Sequence, residues 1–290
     1  MLVSKRQLER WYCYEGQTLQ QIGDRLGRSR ERIRQLMERY GISRRYFHSY
    51  RMPHGFKMLD YSKNYSNKRD RAFEKIEDQE TAYWVGFLLA DGTVYRGSLV
   101  LAIKDKDHIM KFKHFLGCNS PIVEAPSTNW ETYEPIWILR IGCNRIIHDL
   151  AKYRVINKKT HNKRIENIPD GYISHFIRGF FDGDGCVSVN SHKKHPSWIP
   201  SLQLTFTSNK KMIENIQSVL VQYCDVKKAK FFQSKQYHTS FILSFSAKQA
   251  RNVAKWMYSD ANVFMTRKKK IFDEYMQLYG NKLDSKNLTN

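Results

Sequence analysis

The sequence predicts an α+β fold of two pseudo-symmetric halves behind a small all-helical domain, and three observations carry that expectation. Two short runs, WVGFLLADG at 84–92 and IRGFFDGDG at 177–185, repeat one pattern: an apolar stretch with small residues four apart, closed by an aspartate and a glycine. After each run the same order of elements follows, two strands, a helix, two strands and a helix. The 290-residue chain is also strongly basic, with a formal charge of +21 that divides as +8 over residues 1–79, +3 over 80–175 and +10 over 176–290. A surplus carried by folded segments rather than one tail fits a long polyanion, with nucleic acid the leading partner.

Residues 5–14 place Leu8, Trp11 and Tyr12 at helical spacing before Gly16 and Gln17 break the run. Thr18 then offers an N-cap with Gln21 as its capping-box partner, and Leu19, Ile22 and Leu26 face a core. Gly27 turns the chain, and Ser29 caps a third helix through Tyr40 with Ile33, Leu36 and Met37 inward. Three short helices with a glycine turn before the last have the layout of a helix-turn-helix unit. Its third helix is the basic one. Arg28, Ser29, Arg30, Arg32 and Arg34 are therefore the candidate DNA contacts in this domain, placed over 1–42. The segment resembles the helix-turn-helix domains of bacterial regulators and some mobile-element nucleases.

From 43 to 79 periodicity fades into a basic linker, with a short helix expected near 70–77. Lys57 and Lys63 there are candidate phosphate contacts. In the first repeat, set at 80–170, strands are expected over 93–103, 120–126 and 134–141, and helices over 105–116 and 144–153. In the second, 171–282, strands are expected at 186–190, 201–207, 227–234 and 239–246. Its helices are expected at 209–223, 247–258 and 267–279, leaving 283–290 as a tail.

A helix made of WVGFLLA or IRGFF must be buried on most of its surface. Gly86 with Ala90, and Gly179 with Gly183, form ridges on which two such helices can cross closely. That crossing brings Asp91 and Asp184, 93 positions apart (184 − 91), to the same carboxyl-terminal end. The helix dipole disfavours an anion there, and the two carboxylates repel each other unless cations compensate them. Aspartate oxygens holding Mg²⁺, with Mn²⁺ or Ca²⁺ as substitutes, suit phosphodiester hydrolysis, which needs an activated water and charge neutralisation. Two equivalent acids match the two strands of a duplex, and the strands of each sheet are long enough to lie along a major groove.

Other classes find less support. Cys13, Cys118, Cys143, Cys186 and Cys224 are scattered and odd in number, which fits neither a zinc site nor a disulfide framework. No signal peptide or long apolar run points to a membrane.

The two runs resemble the paired LAGLIDADG motifs of the homing endonuclease family in its single-chain, two-repeat form, over about 80–280. The resemblance implies saddle-shaped antiparallel sheets and central motif helices. It also implies a monomeric, intracellular, Mg²⁺-dependent enzyme of bacterial or phage origin that cuts double-stranded DNA at a long asymmetric site, leaves short 3′ overhangs and mobilises an intron or intein. It places Asp91 and Asp184 in the metal centre, with Ala90 and Gly183 beside them. A basic residue is implied near each centre. Arg140 and Lys248 lie closest to the position it implies, near the end of the strand preceding the second helix, with Lys104 and Asn209–Lys210 as alternatives. The family's earlier aspartate is present as Asp182 but replaced by Leu89 in the first copy, a packing or hydrogen-bonding position rather than a ligand. The insertion at 190–200, with His192, Lys193 and Lys194, is a candidate DNA-contacting hairpin, and Lys227, Lys228 and Lys230 add candidate phosphate contacts. The run Arg267–Lys270 opens the last helix as a further basic face. A catalytically silent DNA-binding regulator and an intron RNA maturase remain alternatives. A self-splicing intein is not expected, because residue 1 is Met and a terminal His-Asn pair is absent.

Overall fold

The computed structural model describes residues 3–14, 17–42, 69–125, 135–156, 159–191, 199–234 and 239–287. The chain divides into two compact units, one of Met1–Asn64 with Val123–Trp137, the other of Tyr65–Ile122 with Ile138–Asn290.

The amino-terminal unit contains α1 (Lys5–Glu9), which runs into a π-helical turn at Arg10–Tyr14, then α2 (Leu19–Leu26) and α3 (Arg30–Arg39). Thr18 and Gln21 form the reciprocal capping box, and Ser29 accepts from the Arg32 amide. Gly27 takes the left-handed conformation at φ 63° that ends α2. A Cβ on Gly23 would meet the Arg28 carbonyl oxygen at 2.6 Å, so glycine is what lets the turn into α3 fold back on α2. Leu8, Trp11, Ile22, Ile33 and Met37 form its core.

The larger unit opens with a turn at 69–78 that buries Phe73 against Phe115, while the Arg69 guanidinium lies over the Phe115 ring. No helix forms at 70–77, and this end of the expected linker packs into the core. The first repeat then runs α4 (Gln79–Ala90), β1 (Thr93–Tyr95), β2 (Ser98–Ile103), α5 (Lys106–Leu116), β3 (Ile122–Ala125), β4 (Ile136–Ile141) and α6 (Asn144–Ala151). The second runs α7 (Ile173–Asp184), β5 (Gly185–Asn190), β6 (Ser201–Ser208), α8 (Lys210–Tyr223), β7 (Phe232–Gln233), β8 (Phe241–Ser246) and α9 (Ala247–Tyr258), and α10 (Thr266–Asn287) closes the chain. Both sheets share one topology, β1-β2-β4-β3 and β5-β6-β8-β7. This is the αββαββα order expected twice over.

Two boundaries differ from expectation. The strand predicted at 227–234 shrinks to Phe232–Gln233, because Lys227, Lys228 and Lys230 leave only Val226 buried in the stretch before it. The last helix continues to Asn287, through most of the segment expected to be a tail.

Strand burial shows why the sheets form. Along β6, Leu202, Leu204, Phe206 and Ser208 are buried while the alternate residues are half-exposed, the period-2 signature of a sheet packed on one face. The buried faces lie on the apolar core that surrounds α4 and α7.

Candidate functional site

α4 and α7 cross so closely that side chains are excluded at the contact. A Cβ on Gly86 would sit 2.0 Å from the Phe176 carbonyl oxygen, and one on Gly179 would sit 1.9 Å from that of Tyr83. The contacts repeat with the motif offset of 93: Gly86 faces Phe176 and Phe180, and Gly179 faces Tyr83 and Phe87. Backbone therefore meets backbone about a local twofold axis. α4 is buried from Thr81 to Ala90, and Asp78 caps its start by accepting from the Thr81 amide at 2.6 Å.

At the far end of the crossing, a Cβ on Gly183 would touch the Ala90 Cβ at 2.4 Å and approach the Asp91 carboxylate to 3.4 Å. The two helix termini are thus in contact. Asp91 is the C-cap of α4, its amide donating to the Phe87 and Leu88 carbonyls, and Asp184 is the last residue of α7. Both carboxylates are half-buried.

Two buried lysines complete these termini, and neither was singled out from sequence. Lys163, 8% exposed, donates to Asp184 Oδ2 at 2.5 Å and to the Ala90 carbonyl at 3.2 Å, bridging the two motif ends. Lys268, 3% exposed, donates to the carbonyls of Phe181 at 2.7 Å, Asp182 at 2.8 Å and Gly185 at 2.5 Å, and reaches that of Gly183 at 3.5 Å. Burial presses the Lys268 ammonium down to about 8, against the opposing pull of Asp182 and Asp91. The run Arg267–Lys270 is therefore not one solvated face: its second residue is buried at the site. The available signal was that each repeat ends in a basic run, KKTHNKR at 158–164 and TRKKK at 266–270.

Asp182 is fully buried and accepts three donors: Tyr83 Oη at 2.9 Å, Tyr258 Oη at 2.7 Å and the Met265 amide at 2.7 Å. Burial pushes its carboxyl up while these donors hold it down. The Tyr83 hydroxyl gives its proton to Asp182, so its oxygen accepts from His108 Nε2 at 2.9 Å, and His108 Nδ1 is left unpaired. Asp182 is a hydrogen-bonding core residue that ties α7 to α4, to α9 and to the segment entering α10.

Among the residues named from sequence, Arg140 lies half-buried on β4, while Lys248 is exposed in the first turn of α9. Lys104, Lys210, Lys227, Lys228 and Lys230 are exposed. In the amino-terminal unit Arg28, Ser29, Arg30 and Arg32 are exposed at the start of α3. Arg34 instead pairs with Glu31 and Glu38 along its own helix. Lys57, Lys63, His192, Lys193 and Lys194 lie outside the described residues.

The donors gathered at the helix ends are all oxygens: the Asp91 and Asp184 carboxylates and the Ala90 and Gly183 carbonyls. Lysine ammoniums already settle on three of them, Asp184, Ala90 and Gly183, which shows that the locus stabilises positive charge. A hard divalent cation such as Mg²⁺ fits that set when water and phosphate oxygens supply its remaining ligands. Among the described residues no group of three or more His, Cys, Asp or Glu side chains forms a metal cluster.

Two αββαββα halves crossed on glycine ridges, with an acid at each helix end, define a two-repeat protein of the LAGLIDADG fold. Residues 171–252 match the LAGLIDADG-like domain family, and residues 5–45 match Sigma-70, region 4. Solved structures with the same architecture include the LAGLIDADG homing endonuclease I-GzeII in complex with its DNA target, at 13% identity over 71% of this chain and 91% of that one, with a TM-score of 0.51. The LAGLIDADG meganuclease I-AabMI bound to uncleaved DNA matches at 14% identity over 70% and 91%, with a TM-score of 0.49. The fold assignment rests on the first of these. No curated protein sequence matches the chain significantly. The second repeat is thus a LAGLIDADG-like domain, and the first is its structural counterpart through the 93-residue offset of contacts.

Proposed function

We propose that this protein is a site-specific double-stranded DNA endonuclease of the homing type, dependent on Mg²⁺ and acting inside the cell as a monomer. The observation that supports this reading most is the meeting of Asp91 and Asp184 at one end of the crossed helices, each terminus served by a buried lysine. A protein that only bound DNA would gain nothing from two carboxylates set against phosphates.

In this reading the Asp91 and Asp184 carboxylates and the Ala90 and Gly183 carbonyls would hold Mg²⁺, which would supply an activated water and Lewis-acid stabilisation of the phosphoryl oxygens. Lys163 and Lys268 place fixed ammonium groups where negative charge develops, and their burial excludes the water that would screen them. Each acid-lysine pair serves one strand, so both strands are cut and short 3′ overhangs remain. The sheets read the duplex, and α3 extends recognition through exposed Arg32, Gln35 and Arg39 along one face of the helix, with exposed Arg28 in the turn that leads into it.

The test uses a duplex joining the sequences that flank the gene, incubated with the full chain and Mg²⁺. Scission is expected, EDTA should stop it, and Asp91→Asn and Asp184→Asn should each reduce it about a hundredfold or more with binding retained. Specific binding without scission under Mg²⁺ or Mn²⁺ would overturn the nuclease reading in favour of a regulator.

A further inference from the structure

The register of the second sheet divides its outward face into rows of unlike chemistry. One row runs Cys186, Thr205 and Ser244 across β5, β6 and β8, and the next runs Ser188, Gln203 and Ser246. Thr205 and Ser244 share a hydrogen bond of 3.1 Å, so they stand on one face. Two residues further along each strand, on the other side of that pair, the row changes to Thr207, Ile242 and Phe232. Side chains two apart share a face, so this row also points outward. Phe232 is 68% exposed, and Thr207 and Ile242 are half-exposed. The edge strand is held from its opposite face, where Phe231 and Phe241 meet edge to face at 5.9 Å. A ring left in water at 232 adds little to the fold, and a hydroxyl like those of the neighbouring row would serve the sheet as well. The approach to this strand adds charge. Lys227, Lys228 and Lys230 are exposed on a pinned backbone: the Lys227 amide donates to Gln249 Oε1 at 2.9 Å, and Gln217 Nε2 donates to the Ala229 carbonyl at 2.6 Å.

We infer that the row of Thr207, Ile242 and Phe232 selects thymine C5-methyl groups in the DNA target, while Lys227, Lys228 and Lys230 hold the adjoining phosphates. This inference rests on the DNA-cleaving reading above. The methyl is the one apolar group that a base pair presents in the major groove, and a threonine methyl and a phenylalanine ring both suit it. Against any other base edge the row strips water from polar atoms and returns no hydrogen bond, which costs binding. A second copy of the chain would also cover an apolar row. Two chains of charge +21 repel each other, however, whereas a duplex attracts the lysines beside the row. Neighbouring strands lie about 4.8 Å apart, so the row spans about 10 Å. That is about three base-pair steps, and the preference is confined to one tract of that length.

The experiment starts from a randomised duplex library selected with the full chain. Each thymine of the selected site is then replaced singly by deoxyuridine, which removes only the methyl. Binding is expected to weaken about fourfold per contacted thymine, within a single tract of about three base pairs. Phe232→Gln, a change at an exposed position, should remove most of that sensitivity, and adding Ile242→Gln should remove the rest. Phe232→Leu, which keeps an apolar group, should preserve it. Sensitivity that survives Phe232→Gln with Ile242→Gln, or that is absent from every thymine, would overturn the inference. So would a dimer, seen by sedimentation, that Phe232→Gln dissociates while the base preference stays unchanged. Failure to select any duplex would instead overturn the DNA-binding reading beneath it.

Discussion

At the end of α4 a single lysine joins the two halves: Lys163 reaches back to the Ala90 carbonyl and across to the Asp184 carboxylate. At the end of α7 the other lysine is held by backbone carbonyls. Lys268 caps the carbonyls of its own repeat, and the Asp91 charge acts on its ammonium. The backbone crossing beneath them is nearly symmetric, yet its polar support is lopsided. Asp182 gathers Tyr83, Tyr258 and the Met265 amide, while its counterpart Leu89 is simply buried. The difference teaches which part of the motif is essential to the shape. The glycine ridges appear in both copies because backbone contact requires them. The inner carboxylate appears once because only the second repeat must hold down α10, whose first turn carries Lys268.

The largest expected effect that tests this comparison comes from making the copies alike. Asp182→Leu leaves three buried donors without an acceptor and should cost about 3 kcal/mol or more in chemical denaturation. Leu89→Met, at the matching position, should stay within about 1.5 kcal/mol. Equal losses at the two positions would mean that the aspartate does not anchor α10.

Next in size are the lysines. Lys268→Met strips donors from several buried carbonyls and should destabilise by about 2 kcal/mol, whereas Lys163→Met, losing one carbonyl and one ion pair, should cost about half as much. In a plasmid assay each variant should accumulate nicked circles, with opposite strands cut. Nicking of the same strand by both would dissolve the pairing of one lysine with one strand.

Smallest at neutral pH is an effect that emerges only in acid. Burial presses the His108 imidazole from 6.5 down to about 3, so the folded state keeps it neutral where the unfolded chain takes up a proton. The stability this group contributes is complete above about 6.5 and is lost as pH falls toward 3. The limiting slope is about 1.4 kcal/mol per pH unit. His108→Phe should flatten the stability-pH curve in that window relative to the parent protein. An unchanged slope would show that His108 is not the group responsible.

Much of this architecture was legible along the chain. Thr18, Gln21, Ser29 and Gly27 mark the amino-terminal helices because caps and left-handed turns are local chemistry, decided within four residues. The alternation of Leu202, Leu204 and Phe206 announces a half-buried strand, and the small residues at 86 and 179 announce a close helix crossing. The turn at 69–78 was less legible: its charged composition suggested a tether, and only the insertion of Phe73 beside Phe115 makes it part of the core. β7 fell short for a similar reason, since a run of exposed lysines cannot hold a strand against an apolar layer.

By itself the sequence determined the two repeats, their acid-ended helices and the basic character of the whole, because periodicity, glycine spacing and net charge are properties of neighbours and of sums. Tertiary structure alone decided that Lys163 and Lys268 are buried at the helix ends and that Asp182 serves Tyr83, Tyr258 and Met265. Those partners come from segments far apart in the chain. Their pairing depends on which carbonyls and carboxylates the crossing leaves unsatisfied, and that is settled only once the two helices have met.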